Sequence, residues 1–512
     1  MLPEIESLKS GIFAKRMSAP FILLCIALYF GGLLLIAYIT SRKSDANTYF
    51  IGNKASPWYA VAFGMLGDSL SGVTYISVPG NVINTQFSYL QLVLGYLVGY
   101  VIIAKVLLPL YYRMNLLSIY TYLETRFGRS TQKTGSFFFI LSRTLGAAGR
   151  LYLAAGVIQF FVFDRFETIH IPFAASVSVI IALMLFYTYK GGIKTLVWTD
   201  TFQSFFLILG VVLSIAAIIS STDWSFSTAV SKLTHSSYSQ VFFFDWHKST
   251  FFFKQFLGGV FIAVTMTGLD QNMMQKNLSC RSLKDAQKNI YWFSIVLVIV
   301  NFFFLALGAL LFLYQQEKNI PLPMNEAGKI LTDRVFPNLA LNYLGAFAGL
   351  VFIIGLTAAT FSSADSVLTT LTTSMYIDMF ELDKKTISEN KKTFYRRFIH
   401  IAFAVLLWAC ILVFNAINSK AIIDTILIIA GYTYGPLLGL FSFGIILKRK
   451  VTDSIVPVIC LVSPILTYAL NIYLPMLIKD YQSGNEIILL NGIITFAGLL
   501  LFSKRDEKPL LA

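Results

Sequence analysis

Apolar runs of about 20 residues recur from one end of this 512-residue chain to the other, and each is long enough to cross the roughly 30 Å hydrocarbon core of a bilayer as one helix. Hydrophobic residues make up 56% of the chain and charged residues only 13%, a balance outside the range of soluble globular domains. The sequence therefore excludes a single soluble core and predicts an all-α polytopic membrane protein.

Windows near the length of one membrane crossing predict about thirteen transmembrane helices. Basic residues set their orientation, because cytoplasmic loops are enriched in Lys and Arg. With the N-terminus outside, about 25 of the 40 Lys and Arg residues fall on the cytoplasmic side. We therefore expect an extracellular N-terminus, a cytoplasmic C-terminus and location in the cell membrane. The predicted helices begin near residues 20, 57, 88, 134, 170, 192, 251, 286, 338, 397, 421, 454 and 486.

Charge distribution and motif content argue against several functional classes. The formal net charge of +14 comes mostly from short connections between apolar segments, so no nucleic-acid partner is expected. The four cysteines are far apart and favour neither disulfides nor a thiolate metal site. The sequence contains no Walker lysine motif, which argues against an ATP-driven pump. The histidines are scattered and do not form a catalytic group, so we expect no enzyme activity. The sequence indicates no obligatory protein partner.

Two spans carry small and polar residues at a depth where lipid cannot satisfy polar groups. The second span contains Gly67, Asp68 and a run of hydroxyl residues, so we expect this helix to be broken in mid-membrane. Five spans later, the helix near residue 251 has Gly258 and Gly259 followed by further small residues. Paired interruptions in two five-helix blocks are typical of inverted-repeat transporters, although small residues also serve close helix packing.

The ninth span presents an oxygen-rich face. Sodium is a hard cation that must exchange its water for other oxygen ligands, and carbonyls freed at a helix break plus hydroxyls from a facing helix can supply them. The face therefore indicates a sodium site, while a serine stripe that only joins helices remains an open alternative. Its members recur at helical spacing and are Ala359, Ser362, Ser363 and Ser366, beside Asp365.

Five segments along the chain form a recognisable set: SLSGVTYISVPG (69–80), GRLYLAAGVIQ (149–159), YTYKGGIKTLVWTDTFQ (187–203), GLDQNMMQKNLS (268–279) and TAATFSSADS (357–366). Together they resemble the sodium/solute symporter family, whose members include sodium-coupled sugar, proline, iodide and sialic acid transporters.

The resemblance implies a leucine-transporter-like fold of two inverted five-helix repeats. We expect four divisions of the chain: an extracellular N-terminus, leading helix and cytoplasmic loop over 1–56, repeat 1 over 57–220, repeat 2 over 251–446, and two accessory helices with a cytoplasmic tail over 447–512.

The resemblance also implies where sodium, the co-transported ion, would bind. The main site would use the carbonyls of Gly67, Leu70 and Ala359 and the hydroxyls of Ser362 and Ser363. A second site, found in some members, would map to Asp200, Asp365 and Ser366, with Ser362 shared. Asp365 departs from the family pattern because it stands where a hydroxyl is expected. It could bind the ion more tightly, bind a proton in its place, or instead pair with Arg143 or Arg150.

The expected substrate pocket is similar to that of the sodium/sialic acid symporters, in which the residue matching Arg150 binds the substrate carboxylate. A guanidinium can bind both oxygens of a carboxylate in a low-dielectric cavity. An arginine that only packs helices together remains an alternative. Asp68, beside the proposed ion, could either tune the ion site or repel an anionic substrate. The expected pocket residues are Ser69, Ser71, Thr74, Phe87, Gln91 and Arg150.

These features together predict a sodium-coupled symporter that imports a small organic solute by alternating access, with a carboxylate such as sialic acid as the expected substrate. The expected partners are this solute, sodium ions and the lipid bilayer. Two alternatives remain: a sodium-coupled symporter of sugars or other neutral solutes, and a sodium-independent channel or uniporter.

Overall fold

A computed structural model describes residues 19–41, 50, 52–161, 163–165, 171–417 and 422–505. Parts of all four predicted divisions lie outside the described residues: the extracellular N-terminus, most of the first cytoplasmic loop, residues 162 and 166–170 of repeat 1, residues 418–421 of repeat 2, and the end of the cytoplasmic tail.

The described chain is almost entirely helical. The first half contains α1 (Ala19–Ser41), α2 (Trp58–Ser69), α3 (Gly72–Thr85), α4 (Tyr89–Ile102), α5 (Leu108–Arg113), α6 (Thr121–Arg126), α7 (Arg129–Phe161), α8 (Phe173–Ser221) and α9 (Phe226–Thr234). The second half contains α10 (Phe252–Ala263), α11 (Gln271–Leu278), α12 (Leu283–Glu317), α13 (Thr332–Asn342), α14 (Gly345–Ser374), α15 (Glu389–Ile417), α16 (Ile422–Ile446), α17 (Val456–Leu477) and α18 (Ile487–Leu501).

Shorter elements connect or extend these helices. A π-helical turn joins α4 to α5, another follows α10, and a third extends α14: Ile103–Leu107, Val264–Gly268 and Met375–Met379. Two three-residue strands, β1 (Arg449–Val451) and β2 (Ser503–Arg505), pair antiparallel, with Arg449 opposite Arg505. This pairing ties the end of α18 to the chain that follows α16.

Each of the predicted transmembrane segments overlaps a helix. Among the described residues, eight helices are long and apolar enough to span a membrane, or up to ten if two sharply bent pairs each count as one span. Two further apolar helices, Phe173–Phe186 and Ile487–Leu501, are shorter than this test requires. The 33-residue helix α7 is the remaining predicted span, and its polar residues, including three arginines, lower its hydropathy.

Two predicted helix starts show the largest differences from the structure. The segment expected from about residue 338 is divided, because α13 ends at Asn342 and α14 begins at Gly345, whose φ of 88° favours glycine. Helix α15 begins at Glu389, earlier than the expected residue 397, because its first turns are polar and contribute no apolar signal. Hydropathy therefore located the helices better than their ends.

The second span is broken, as predicted. Helices α2 and α3 meet at an angle of 57°. Leu70, with φ −97° and ψ 77°, ends α2, and Ser71 is extended with φ −76° and ψ 174°. The last carbonyls of a helix have no following amide within it, so the break frees backbone oxygens in mid-membrane.

The other predicted interruption is also a break, but it lies C-terminal to the expected glycine pair. Helices α10 and α11 are bent by 62° at Leu269 and Asp270. The Asp270 carboxylate caps α11 by accepting the N–H of Met273 at 3.1 Å. Gly258 and Gly259 lie inside α10, where an added Cβ would collide with Asn485 and with the Leu92 carbonyl, respectively. These two glycines therefore serve close packing, the alternative that the sequence left open.

The long helices surround the two breaks. Helix α8 bends at Gly192, where φ is 57° and ψ is −159°, and its second part packs against α2 and α14. Helix α11 contacts α2, α8 and α14. These four elements bring together segments far apart in sequence, and the candidate site lies among them.

Candidate sodium and substrate site

The broken helix and the oxygen-rich helix α14 touch at the expected main sodium site. Gly67 has no side chain, and Ser362 occupies the space that one would fill: a Cβ added at residue 67 would lie 3.0 Å from the Cβ of Ser362 and closer still to its Oγ. The Gly67 N–H donates to Ser204 Oγ at 2.8 Å. Leu70 and Ala359 are buried as well.

The hydroxyls at this contact fit a cation. Ser362 is fully buried, and its Oγ has no hydrogen-bond partner among the described residues. A buried hydroxyl without a partner is unfavourable, and a sodium ion would satisfy its lone pairs. Ser363 Oγ donates to the Thr360 carbonyl at 3.1 Å, which leaves its own lone pairs available. The residues present therefore match the ligand types that sodium requires.

A lysine lies among the residues expected to form the second sodium site. The Nζ atom of Lys276 donates to the Oδ2 atoms of Asp200 and Asp68 and, at 2.8 Å, to Ser366 Oγ. Ser366 Oγ also donates to Asp200 Oδ2 at 3.2 Å. Asp365, the third expected ligand, accepts the Ser366 N–H through Oδ1 at 2.5 Å. The sequence analysis did not assign Lys276 to either sodium site or to the substrate pocket.

A cavity of about 100 Å³ adjoins the break between α2 and α3. Four of the six expected substrate residues line it: Ser69, Ser71, Thr74 and Arg150. Its other walls come from α4, α7, α12, the start of α16 and the second broken pair. The additional polar lining residues are Asp68, Tyr89, Tyr96, Tyr100, Arg143, Thr267 and Asn301.

The two arginines of the cavity differ in their partners. Arg143 Nε donates to Asp270 Oδ2 at 2.6 Å, and Tyr434 donates to the same oxygen at 2.5 Å. Arg150 is 9% exposed and, within the described chain, forms neither a hydrogen bond nor a salt bridge. Neither guanidinium pairs with Asp365, so Arg143 is held structurally while Arg150 presents a charge to the cavity.

Phe87 and Gln91, the other two expected substrate residues, do not line the cavity. Gln86 ends α3 with φ 50° and ψ −137°, and the turn directs both side chains elsewhere. Gln91 donates to the Thr250 carbonyl at 2.9 Å, and its Oε1 accepts the Phe243 N–H at 3.2 Å. Phe87 is buried beside Phe302. Gln91 therefore anchors the loop that precedes α10, while Phe87 packs against α12.

Sequence reasoning missed the tyrosines of α4 and Asn301 of α12. Tyr89, Tyr96 and Tyr100 are separated by seven and four residues, which places them on one helical face. The sequence alone shows this spacing. On an apolar helix, however, the same spacing occurs whether the tyrosines line a cavity or pack against a neighbouring helix. Asn301, 1% exposed, stood alone in an apolar run and gave no such pattern.

The cavity continues into a vestibule on one side of the bundle. The vestibule measures about 440 Å³ and includes residues from the α3–α4 turn and the α17–α18 connection. Tyr89, Ile262 and Leu427 line both spaces. On the opposite side of the second break, Tyr111 donates to the Gly268 carbonyl at 2.9 Å and Tyr120 to the Leu269 carbonyl at 3.0 Å. The cavity therefore adjoins the vestibule on one side, and tyrosine hydrogen bonds hold the backbone of the second break on the other.

Comparison with known proteins identifies the family. The sequence model of the sodium:solute symporter family matches residues 49–454, most of the chain. The chain belongs to the sodium:solute symporter family. Its members are transporters rather than enzymes, so this chain is a sodium-coupled membrane symporter of a small solute, as the sequence predicted.

Individual relatives are distant in sequence. The chain is 25% identical over 434 residues to the sodium/sialic acid symporter NanT of Aliivibrio fischeri, covering 83% of each chain. It is 26% identical over 431 residues to sodium-coupled monocarboxylate transporter 1 of Mus musculus, covering 81% of this chain and 68% of the relative.

One solved structure confirms the fold. It is the substrate-bound outward-open state of a Na⁺-coupled sialic acid symporter, to which this chain is similar with a TM-score of 0.80 at 21% identity, over 95% of this chain and 99% of the other. The predicted leucine-transporter-like fold is therefore confirmed. The exact boundaries of the four divisions stay predictions.

Proposed function

We propose that this symporter imports a small carboxylate, such as a sialic acid or a related organic acid, together with sodium. The observation that carries this proposal is the guanidinium of Arg150, which lines the cavity without a hydrogen bond or salt bridge to any described residue. A charge in a water-poor cavity is costly without a counterion. A substrate carboxylate would supply that counterion and could accept two parallel hydrogen bonds.

The surroundings of Arg150 favour an anion more than the sequence suggested. Asp68 lines the same cavity, but its Oδ2 accepts from the Lys276 ammonium, which offsets the repulsion that Asp68 alone would exert. Arg143 is neutralised by Asp270 and leaves Arg150 as the substrate-facing cation. The relatives described above are named as transporters of sialic acid and of monocarboxylates. Both kinds of solute contain a carboxylate.

We further propose that sodium binds at the main site formed by the Gly67, Leu70 and Ala359 carbonyls and the Ser362 and Ser363 hydroxyls. The partnerless Ser362 hydroxyl and its contact with Gly67 support this assignment. Sodium there would join α2 to α14 and fix the break, which also carries the substrate-facing residues Ser69 and Ser71. Each ligand would then raise the affinity for the other by the same factor.

The proposed orientation has the N-terminus outside and the C-terminus in the cytoplasm of a cell, with the protein in the cell membrane. The distribution of basic residues supports it. In this orientation the vestibule opens outward, because its residues Thr250 and Asn485 lie in connections assigned to the outside.

Uptake by the purified protein in liposomes would test the carboxylate proposal and the need for a protein partner together. The probes are labelled N-acetylneuraminate, lactate and glucose, each with an inward sodium or potassium gradient. We expect at least one carboxylate to accumulate only with sodium. Arg150→Lys should lower its kcat/KM about 10- to 150-fold, because a charge-assisted hydrogen bond contributes roughly 1.5–3 kcal/mol.

Arg334→Met is the matched control, since Arg334 lies over the Phe160 ring and does not line the cavity; its uptake should equal that of the wild type. Glucose uptake that persists in Arg150→Met would instead favour the neutral-solute alternative. Uptake independent of the sodium gradient would favour a channel or uniporter.

A further inference from the structure

Lys276 is a fully buried cation that connects four helical elements. It belongs to α11, the second half of a broken span, and its side chain is 1% exposed. Its Nζ donates to Asp68 on α2, Asp200 on α8 and Ser366 on α14. An ammonium has three N–H donors, and each has one of these oxygens as its acceptor.

The ammonium satisfies the same requirement that a sodium ion would meet at this point. Both are monovalent cations that are stabilised by several oxygen ligands, and neither is tolerated in a buried position without them. Asp200 and Ser366 are two of the four residues, with Ser362 and Asp365, that the family resemblance assigns to a second sodium site. The lysine therefore binds two of the ligands that a second sodium ion would use.

We infer that Lys276 is a tethered cation that takes the place of a second sodium ion, so that one sodium ion, bound at the main site, crosses the membrane with each substrate molecule. The ammonium stays with the protein and adds nothing to the transported charge. For the proposed monovalent carboxylate, transport would then be electroneutral. The sodium count itself does not depend on which solute is carried.

Binding of ²²Na⁺ to the detergent-purified full chain, without any substrate, tests the inference directly. The wild type should saturate at one sodium ion per chain with a Hill coefficient near 1. In Lys276→Met the carboxylates of Asp68 and Asp200 lose their counterion, so the count should rise to two ions per chain. Two ions per wild-type chain would overturn the inference, and so would an unchanged count in folded Lys276→Met.

Thermal unfolding distinguishes a cation role from simple packing. Lys276→Met should unfold at a lower temperature than the wild type in potassium and recover most of the difference in sodium. Equal losses in both salts would contradict the inference. Lys254→Met is the control, because Lys254 is also buried but donates to the Gln482 carbonyl at 2.8 Å, away from the cluster; its sodium count should stay at one.

Asp200→Asn keeps the test decisive if Lys276→Met does not fold. The inference predicts one sodium ion per chain in this variant, since Asp200 binds the lysine rather than an ion. A fall from two ions to one would contradict it. Failure of the carboxylate proposal would appear separately, as an unchanged uptake of N-acetylneuraminate and lactate by Arg150 variants.

Discussion

Gly67→Ala tests whether the contact between α2 and α14 is the sodium site. The added Cβ would lie 2.8 Å from Ser204 Oγ, 3.0 Å from Ser362 Cβ and closer still to Ser362 Oγ, whereas ordinary contacts begin at 3.4 Å. The two helices must therefore separate by several tenths of an ångström or more. Overpacking of this kind typically costs about 1–3 kcal/mol.

The same displacement should impair sodium binding, because it moves the Ser362 hydroxyl away from the Gly67 carbonyl. If 1.4 kcal/mol or more of the strain falls on the bound state, the half-activating sodium concentration rises about tenfold or more. Sodium activation curves of uptake in liposomes measure this shift, and thermal unfolding in sodium and in potassium reports whether the variant folds and still binds the ion.

Gly146→Ala is the matched control, since a Cβ added at that position of α7 meets nothing within 4 Å. Its sodium activation should equal that of the wild type. A folded Gly67→Ala protein whose activation curve superimposes on the wild-type curve would refute the assignment of the ion to this contact.

Two further predictions concern the buried pair at the second break. Asp270→Asn leaves Arg143 without its carboxylate and should lower the free energy of unfolding by about 3–5 kcal/mol, because an unpaired buried charge remains. Tyr434→Phe removes only the 2.5 Å hydrogen bond to Asp270 and should cost about 1.5–3 kcal/mol. Denaturation of both variants in detergent compares them, and an equal or smaller loss for Asp270→Asn would show that the ion pair does not stabilise the break.

Local sequence was sufficient to predict the helices, the first break and the oxygen-rich face of α14 that packs against it. Gly67, Asp68 and the hydroxyls beside them are incompatible with an unbroken lipid-exposed helix, and Ser362 and Ser363 recur at helical spacing. These signals are local, because in lipid each transmembrane segment must form the hydrogen bonds of its own backbone N–H and C=O groups. The second break was located less well, since a glycine pair that serves packing resembles one that interrupts a helix.

Other parts of the site depend on tertiary structure. Lys276 contacts acceptors that are 208, 76 and 90 positions away in the sequence, and no periodicity within α11 predicts which helices surround it. Phe87 and Gln91 do not line the cavity for a related reason: the direction of the chain after α3 depends on the backbone conformation of Gln86, which its residue type does not specify. The free guanidinium of Arg150 became distinguishable from that of Arg143 only when the position of Asp270 was known.

The proposed coupling of sodium to substrate requires sodium bound between the broken helix and the hydroxyls of α14. Equilibrium ²²Na⁺ binding to the Ser362→Ala/Ser363→Ala double variant, compared with the wild type, tests this directly, with size-exclusion profiles to establish that both are folded. We predict saturable binding by the wild type that excess Na⁺ but not K⁺ displaces, and loss of that binding in the variant. Undiminished ²²Na⁺ affinity in a folded variant would contradict the central claim.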